Sequence, residues 1–305
     1  MRAEYDAPAK NGRIIAMKVG LVGLGRMGSG IAERLRAAGH DVVGYDADAA
    51  RSQVGSLREL VAALTPPRVV WLMVPAGDAT QALVDELAGL LSASDTVVDG
   101  GNSYYRDSIR RSAQLAERGI GFLDAGTSGG VWGREAGFCL MVGGPKAAFE
   151  AVEPLLRALA PPGGYAHVGP AGAGHYAKMA HNAIEYGLLQ AYAEGFSLLN
   201  ASEYDYDLSR LASLWNHGAV VRSWLLELAE RALSADARLE SLRGFVEDSG
   251  EGRWAVQEAV ERALPLPVIT LSLFQRFASR EENAFANRFI AALRREFGGH
   301  AVRES

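Results

Sequence analysis

Residues 19–28 read Val19-Gly20-Leu21-Val22-Gly23-Leu24-Gly25-Arg26-Met27-Gly28, an apolar run that leads directly into three spaced glycines. In such a run Gly23 permits a tight turn, Gly25 lets a diphosphate approach the backbone, and Gly28 lets a strand and a helix pack closely. The diphosphate would bind amides at the start of the helix. The run therefore predicts a dinucleotide site, with a purely structural glycine turn as the alternative. The predicted cofactor-binding residues of the turn are Gly23, Leu24, Gly25, Arg26, Met27 and Gly28.

Downstream of this stretch, short apolar runs rich in β-branched residues alternate with segments of helical period. The predicted strands are 18–22, 42–45, 69–74, 96–99, 121–124 and 139–142. The helical segments between them include 27–38, 80–91 and 107–118. Alternation at this spacing is typical of βαβ units, so it predicts a mostly parallel sheet.

The character of the chain changes after the glycine-rich segment 169–174. Residues 175–200 contain little that stops a helix, and that length fits the central helix of a helical domain. Further helices are predicted at 208–215, 220–232, 254–263, 269–278 and 283–297. We therefore predict an α/β N-terminal Rossmann-type dinucleotide-binding domain over residues 17–170, followed by an all-α C-terminal domain over residues 171–305. Residues 1–16 are expected to form a loose extension.

The composition bounds the class of protein. The chain has 305 residues, 49% hydrophobic and 22% charged, which is typical of a globular protein and excludes a disordered or fibrous one. Its net charge of −5 does not favour a nucleic-acid or anionic-membrane partner, and its single cysteine excludes an internal disulfide. No apolar run reaches the roughly 18 residues that span a bilayer. Because residues 1–16 also lack the apolar stretch of a secretory signal, we expect a cytoplasmic protein with no membrane partner.

Asp46 closes the second predicted strand. A carboxylate at this position accepts hydrogen bonds from the adenosine ribose and repels a 2′-phosphate, which favours NAD over NADP. Two alternatives stay open. Asp46 could merely cap the following turn, and the nearby Arg51 could offset part of the repulsion, so that NADP is also accepted.

Glycine-containing segments follow three other predicted strands, where ligands bind in open α/β sheets. The segments are Val74-Pro75-Ala76-Gly77, Gly100-Gly101-Asn102-Ser103 and Ser128-Gly129-Gly130. The first two are only weak indications, because glycine-rich strand ends are common without function. The third combines exposed amides with a hydroxyl, which suits a carboxylate or hydroxyl of a substrate, with a plain flexible loop as the alternative.

Five polar side chains recur at helical spacing along the predicted long helix, so they share one face. They are Lys178, His181, Asn182, Glu185 and Tyr186. Such a face is either exposed to solvent or lines an active site. The glycine-rich hinge before it favours an active site, because clefts between domains bind ligands. Lys178 and Glu185 supply a base and an acid that can reach opposite ends of a small substrate.

Together these motifs resemble those of the decarboxylating 6-phosphogluconate dehydrogenases, within the β-hydroxyacid dehydrogenase superfamily. The most specific run is Gly172-Ala173-Gly174-His175-Tyr176-Ala177-Lys178-Met179-Ala180-His181-Asn182-Ala183-Ile184-Glu185-Tyr186. Enzymes that act on 3-hydroxyisobutyrate share the glycine loop and the lysine but not the His-Asn-x-x-Glu-Tyr continuation. Further matching segments lie at 23–28, 99–103, 128–130, 247–254 and 274–277.

The chain departs from the long form of that family in three ways and is similar to its short form. Its helical half is much shorter, and Asp46 stands where the long form has an Asn-Arg pair for the NADP phosphate. Gly250-Glu251 replaces a threonine-bearing segment that helps to bind the substrate phosphate, so Arg276 becomes the stronger candidate for that role. The long form completes its pocket with a tail from the partner subunit. Here His300 could play that part, with an uninvolved tail as the alternative.

The resemblance implies oxidation and decarboxylation of 6-phospho-D-gluconate to ribulose 5-phosphate and CO2 with NAD. In this reaction Lys178 takes the proton of the C3 hydroxyl and then polarises the 3-keto group, and Glu185 protonates C1 of the enediol. No metal is needed because the lysine supplies the charge. The other implied substrate-binding residues are Asn102, Ser128, Gly129, Gly130, His181, Asn182, Tyr186, Arg276 and His300. The other implied cofactor-binding residues are Asp46, Val74, Pro75, Ala76 and Asn102.

Two alternatives to this function remain. One is an NAD(P)-dependent β-hydroxyacid dehydrogenase of the 3-hydroxyisobutyrate type, and the other is a non-catalytic dinucleotide sensor. In each case we expect a homo-oligomer, a dimer or a tetramer, as is usual in the family.

Overall fold

The computed structural model describes residues 16–298 together with residues 301 and 303. The described residues form two compact units that divide between His181 and Asn182, inside one long helix. Of the expected N-terminal extension only Ala16 lies within the described residues. The domain boundary predicted between residues 170 and 171 lies just before the long helix and stays a prediction.

The first unit contains a sheet of seven strands. They are β1 (Lys18–Val22), β2 (Asp41–Tyr45), β3 (Val69–Leu72), β4 (Thr96–Asp99), β5 (Gly121–Ser128), β6 (Cys139–Gly143) and β7 (Tyr165–Gly169). Their order is β2-β1-β3-β4-β5-β6-β7, and every neighbouring pair is parallel except β5 with β6. The predicted mostly parallel sheet is therefore confirmed.

Helices cover both faces of this sheet. They are α1 (Arg26–Ala37), α2 (Leu57–Ala62), α3 (Asp78–Leu90), α4 (Tyr105–Ala116), α5 (Gly133–Ala136) and α6 (Lys146–Leu159). One apolar core holds Ile31 of α1 and Leu155 of α6, and the other holds Leu60 of α2 and Leu87 of α3. Strands β3 and β4 are buried along their whole length, because a parallel sheet covered on both faces needs continuous apolar strands.

Some elements differ from the expectation. Strand β5 continues beyond Asp124 to Ser128, because β6 pairs with it in antiparallel register as far as Ser128 opposite Cys139. Strand β7 has no predicted counterpart, since it is a short, incompletely buried edge strand without apolar alternation. The short helix α2 and the proline-containing helix α6 were also not predicted individually.

The described residues of the second unit form helices and connecting loops, with no strand among them. The long helix α7 (Ala173–Asn200) leads into α8 (Leu208–Trp215), α9 (Trp224–Ala235), α10 (Glu251–Glu261), α11 (Pro267–Ala278) and α12 (Phe285–Gly298). Helix α9 begins later than predicted because the hydroxyl of Ser223 accepts a hydrogen bond from the amide of Leu226 and so caps it. An α/β unit followed by a helical unit confirms the predicted fold class. Among the described helices, none combines the length and apolarity needed to cross a membrane.

Candidate functional site

The glycine turn between β1 and α1 has the geometry that the sequence predicts. Gly23 has φ +89°, and a Cβ there would collide with the backbone carbonyl of Met73. A Cβ on Gly28 would collide with the carbonyl of Gly23, so strand and helix are in close contact. Around Gly25, by contrast, a Cβ would meet nothing within 4 Å. The open side of the turn therefore lies at Gly25, where the predicted diphosphate would approach.

Asp46 holds this turn as well as the one that follows it. Its carboxylate accepts hydrogen bonds from the amide of Leu24 at 2.6 Å and from the amide of Asp48 at 2.8 Å. These two amides, Asp48 first, hold the pKa of Asp46 below its ordinary value. Arg51 pairs with Asp48, with 3.2 Å between Nε and Oδ2. Asp46 thus caps the turn that follows it, which is one of the alternatives that the sequence leaves open, and it is an ionised group at the end of β2.

A buried ion pair joins the segments that follow β3 and β4. The guanidinium of Arg111 donates to the carboxylate of Asp99 at 3.2 Å and to the carbonyl of Gly77 at 3.0 Å. The hydroxyl of Ser103 donates to the same carboxylate at 2.8 Å. Arg111 and Asp99 are both fully buried. These contacts fix the positions of two of the predicted ligand-binding segments, which hold Val74, Pro75, Ala76 and Asn102.

Arg111 is not among the site residues predicted from the sequence. The sequence nevertheless contains an indication of its role, because the buried positions of α4 recur with helical period and Arg111 is a charged residue among them. The buried residues are Tyr105, Ser108, Arg111 and Leu115. A charge at a core-facing position is costly without a buried partner, so it indicates an ion pair.

Asp124, in the middle of β5, anchors the start of α7. The buried carboxylate of Asp124 accepts hydrogen bonds from the amides of Gly172 at 2.7 Å and His175 at 2.8 Å. Burial raises the pKa of Asp124, although the neighbouring His175 acts in the opposite direction. Gly174 packs so closely that a Cβ there would collide with the carbonyl oxygens of Asp124 and Met141. The first turn of α7 is therefore locked against the sheet.

Three of the predicted residues come together above this anchor. A Cβ on Gly126 would lie 2.5 Å from the Cβ of Lys178, so the absence of a side chain lets the lysine pack directly on β5. The hydroxyl of Ser128 lies 3.4 Å from Nε2 of His181. The next two residues, Gly129 (φ +124°) and Gly130 (φ +53°), adopt backbone conformations that favour glycine.

The second unit gathers the other predicted residues. The guanidinium of Arg276 lies 3.4 Å from the ring centroid of Tyr186, and the hydroxyl of Tyr186 accepts a hydrogen bond from the amide of Ser249 at 3.3 Å. The amide nitrogen of Asn182 donates to the carboxylate of Glu251 at 3.0 Å. Glu251 is not among the predicted site residues, because its position in the sequence marks only a departure from the long form.

Lys178 and Glu185 lie on the same continuous helix, α7, two turns apart. Both are partly buried, whereas His181 is exposed. His300 lies outside the described residues. Within the part of the chain that the structure describes, no group of three or more His, Cys, Asp or Glu side chains could hold a metal ion.

Comparison with protein families matches nearly the whole chain. Residues 18–169 match the NAD binding domain of 6-phosphogluconate dehydrogenase, and residues 174–301 match the 6-phosphogluconate dehydrogenase C-terminal domain. The NAD(+)-dependent, decarboxylating 6-phosphogluconate dehydrogenase of Haloferax volcanii is 46% identical over 94% of this chain and 98% of its own length. The NADP(+)-dependent, decarboxylating enzyme of Bacillus subtilis is 35% identical over 90% of this chain and 64% of its own length.

Solved structures show the same fold. A 6-phosphogluconate dehydrogenase from Plasmodium falciparum has a TM-score of 0.80 and 26% identity, covering 94% of this chain and 66% of that one. A 3-hydroxyisobutyrate dehydrogenase from Mycobacterium tuberculosis has a TM-score of 0.70 and 24% identity, covering 92% of this chain and 100% of that one. The second likeness is one of fold alone.

Proposed function

The chain belongs to the 6-phosphogluconate dehydrogenase family, and from this premise we propose that it oxidises and decarboxylates 6-phospho-D-gluconate to D-ribulose 5-phosphate and CO2, with NAD as its preferred cofactor. The observation that carries the proposal is the presence of Lys178 and Glu185 on α7, two turns apart. An amine and a carboxyl group at this spacing supply the proton acceptor and the proton donor that the reaction needs.

In the proposed mechanism, Lys178 Nζ accepts the proton of the C3 hydroxyl. NAD supplies the hydride acceptor. The protonated Nζ then donates a hydrogen bond to the 3-keto oxygen and stabilises the negative charge that develops there. The electrons of the C1–C2 bond of the substrate flow toward that ketone as CO2 leaves. Glu185 protonates the carbon that has lost CO2, which is C1 of the enediol, and the product ketone forms.

The preference for NAD rests on Asp46. Two backbone amides favour its ionised form. An ionised group at the end of β2 attracts ribose hydroxyls and repels a 2′-phosphate. The NAD(+)-dependent relative from Haloferax volcanii supports the same preference.

We assign the phosphate of the substrate to Arg276, beside Tyr186. A guanidinium offers several donors in a planar fork that matches a phosphate group. The ring of Tyr186 is nearly fully buried and supports the guanidinium from one side. We also assign Asn102 and Ser128–Gly130 to the hydroxyls and carboxylate of the substrate.

We further propose a homo-oligomer that forms through the helical unit. Several large apolar side chains of α11 and α12 are exposed, among them Val268, Leu271, Phe285, Phe289 and Ile290. Exposed apolar groups of this size favour protein contacts. In an oligomer His300 would complete the site of the neighbour. Light scattering coupled to size-exclusion chromatography measures the mass directly, and a monomer at all concentrations would contradict this assignment.

One assay tests the reaction. Purified protein is given 6-phosphogluconate with NAD or NADP in parallel, and reduced cofactor and CO2 are followed together. Lys178→Met should lower kcat by about 100-fold to 10,000-fold, and Glu185→Gln should lower it strongly as well. Glu194→Gln is the matched control, because Glu194 is an exposed residue of the same helix and should leave kcat unchanged.

The outcomes distinguish the candidates. Reduced cofactor without CO2 from any sugar acid would point to the plain β-hydroxyacid dehydrogenase. No turnover with any hydroxyacid would point to the dinucleotide sensor. Faster turnover with NADP than with NAD would contradict the cofactor preference alone.

A further inference from the structure

Glu251 is a buried acid that the proposed mechanism does not use. It is the first residue of α10 and is only 1% exposed. One of its carboxylate oxygens accepts a hydrogen bond from the amide nitrogen of Asn182 at 3.0 Å. The other accepts from the hydroxyl of Ser249 at 2.7 Å. All three residues belong to the second unit.

This contact fixes which end of the Asn182 amide faces Glu251. A side-chain amide has a donor end and an acceptor end that can exchange by a simple flip, and the hydrogen-bond network decides between them. A carboxylate only accepts hydrogen bonds, so the nitrogen of Asn182 faces Glu251. The oxygen of Asn182 is consequently turned away from Glu251.

The segment that carries Glu251 has little room to move away from α7. The amide of Ser249 donates to the hydroxyl of Tyr186 at 3.3 Å. A Cβ on Gly252 would lie only 2.6 Å from the ring of Tyr186. Because Tyr186 lies one turn after Asn182 on α7, residues 249–252 contact two successive turns of that helix. The orientation of Asn182 is thus supported by packing as well as by one hydrogen bond.

We propose that Glu251 is a positioning residue, which makes Asn182 a hydrogen-bond acceptor for a hydroxyl group of the sugar acid. The inference rests on the proposed function and refines it. The oxygen of Asn182 offers no proton to a carboxylate or a phosphate, so this end of the amide does not hold either anion. It recognises a hydroxyl, which can donate, and thereby favours a polyhydroxylated acid over one that lacks that group.

The test compares 6-phosphogluconate with analogues that each lack the hydroxyl group at C2, C4 or C5, because the C3 hydroxyl is the one that is oxidised. In the wild-type protein, removal of the hydroxyl that contacts Asn182 should lower kcat/KM by about tenfold or more. Glu251→Leu removes the acceptor, so nothing holds the nitrogen of Asn182 toward α10 and the amide can present either end to the substrate. The penalty for that one analogue should shrink, while the KM for NAD stays unchanged.

An exchange of the two side chains gives the sharpest prediction. Asn182→Asp alone opposes two carboxylates and should lower activity strongly. The double variant Asn182→Asp/Glu251→Gln again pairs one amide with one carboxylate. An oxygen of the new Asp side chain then faces away from position 251, so the loss of kcat/KM for that one analogue should return. Glu258→Gln is the matched control. This buried glutamate lies on the same helix and pairs with Arg262, so its replacement can change stability but not the analogue penalties.

The possible failures are distinct. Absence of turnover of 6-phosphogluconate by the wild-type protein would overturn the proposed function and this inference with it. Turnover by the wild-type protein, with the same analogue penalties in Glu251→Leu, would overturn the inference alone. If Glu251→Leu does not fold, as judged by thermal unfolding, Asn182→Ala decides. It must abolish the penalty for one analogue, and an unchanged set of penalties would overturn the inference.

Discussion

The guanidinium of Arg276 lies against the ring of Tyr186, 3.4 Å from its centroid, and donates a hydrogen bond to the carbonyl of Glu247 at 3.0 Å. One face of the guanidinium is thus covered by an aromatic ring, and one of its donors is already used. The remaining donors keep the planar arrangement that suits a phosphate group.

Replacement of Arg276 tests its role in binding the phosphate. Arg276→Met should raise the KM for 6-phosphogluconate by about tenfold to 100-fold, because a hydrogen bond to a charged group is lost, and should leave the KM for NAD unchanged. The KM of Arg276→Lys for 6-phosphogluconate should fall between those of the wild-type protein and Arg276→Met, since lysine keeps the charge but not the planar fork. Arg243→Met is the control, because Arg243 is an exposed residue paired with Glu282. Equal KM values for Arg276→Met and the control would contradict the assignment.

Replacement of Asp46 tests the cofactor preference. Asp46→Asn should raise the KM for NAD by about tenfold and narrow the difference between NAD and NADP, because the repulsion of a 2′-phosphate is lost. Asp41→Asn makes the same chemical change at the opposite end of β2, where Asp41 pairs with Lys18. It should alter neither the KM for NAD nor the difference between NAD and NADP. Steady-state kinetics with both cofactors measure the effect. An unchanged cofactor ratio in Asp46→Asn would contradict the proposed role.

The buried pair Arg111–Asp99 should contribute strongly to stability. Arg111→Met leaves a carboxylate buried without its counter-charge and should lower the free energy of unfolding by about 3–5 kcal/mol. The neighbouring Arg110 supplies a matched control, since it is exposed and pairs with Asp107 at the surface. Arg110→Met should cost less than about 1 kcal/mol. Urea unfolding measures both, and similar losses in the two variants would be inconsistent with a buried ion pair.

Two glycines of α7 should respond to alanine in opposite ways. Gly174→Ala should destabilise the protein, because its Cβ has no space beside the carbonyl oxygens of Asp124 and Met141. Gly195→Ala should stabilise it by up to about 1 kcal/mol, because its Cβ meets nothing within 4 Å and alanine favours the helix. Thermal unfolding of both variants checks the signs. A tolerated alanine at position 174 would show that the first turn of α7 can shift.

Asp124 and Asp85 should make pH-dependent contributions of opposite sign. Burial raises the pKa of Asp124 above its ordinary value of 3.8, so its contribution to stability is present at low pH and is lost as the pH rises through the raised value. Hydrogen bonds from Gln114 and Gln81 lower the pKa of Asp85. The contribution of Asp85 is therefore present above its unfolded-state pKa and is lost as the pH falls through the lowered value.

Comparison of each wild-type–variant pair across pH isolates these contributions. As the pH rises from 4, the stability of the wild-type protein relative to Asp124→Asn should fall. Over the same pH range, the stability of the wild-type protein relative to Asp85→Asn should not fall. Differential scanning calorimetry over this range measures the two differences, and parallel pH profiles for the two variants would refute the assignment of opposite shifts.

Local patterns in the sequence were sufficient to predict the architecture. The glycine turn at 23–28 and the apolar runs predicted the parallel sheet, because burial on both faces requires continuous apolar strands. The edge strand β7 was missed because an incompletely buried strand has no such requirement. The extension of β5 to Ser128 depends on an antiparallel partner in β6, and pairing of this kind is not visible in either segment alone.

For the candidate site, helical spacing predicted which side chains share a face of α7 but not which residues support them. Glu251 lies far from Asn182 in sequence, and only the packing of α10 brings its carboxylate within 3.0 Å of that amide. The helical period of α4 marks Arg111 as a core-facing charge, but only the three-dimensional structure shows that Asp99 is its partner. The partner of a positioning residue carries no local motif, because the contact is long-range.

Asp46 has two roles, one in the proposed coenzyme preference and one in the glycine turn, and this limits how the preference could change in evolution. The carboxylate that would select the nucleotide also accepts the amide of Leu24 and so supports the glycine turn. A descendant that exchanges this carboxylate for asparagine removes the charge and keeps one acceptor oxygen, but Asp46 uses one oxygen for the amide of Leu24 and the other for the amide of Asp48. A single substitution of this kind leaves one of the two amides without its own acceptor oxygen, so adaptation toward NADP weakens either the glycine turn or the turn after it unless a nearby change supplies a new acceptor.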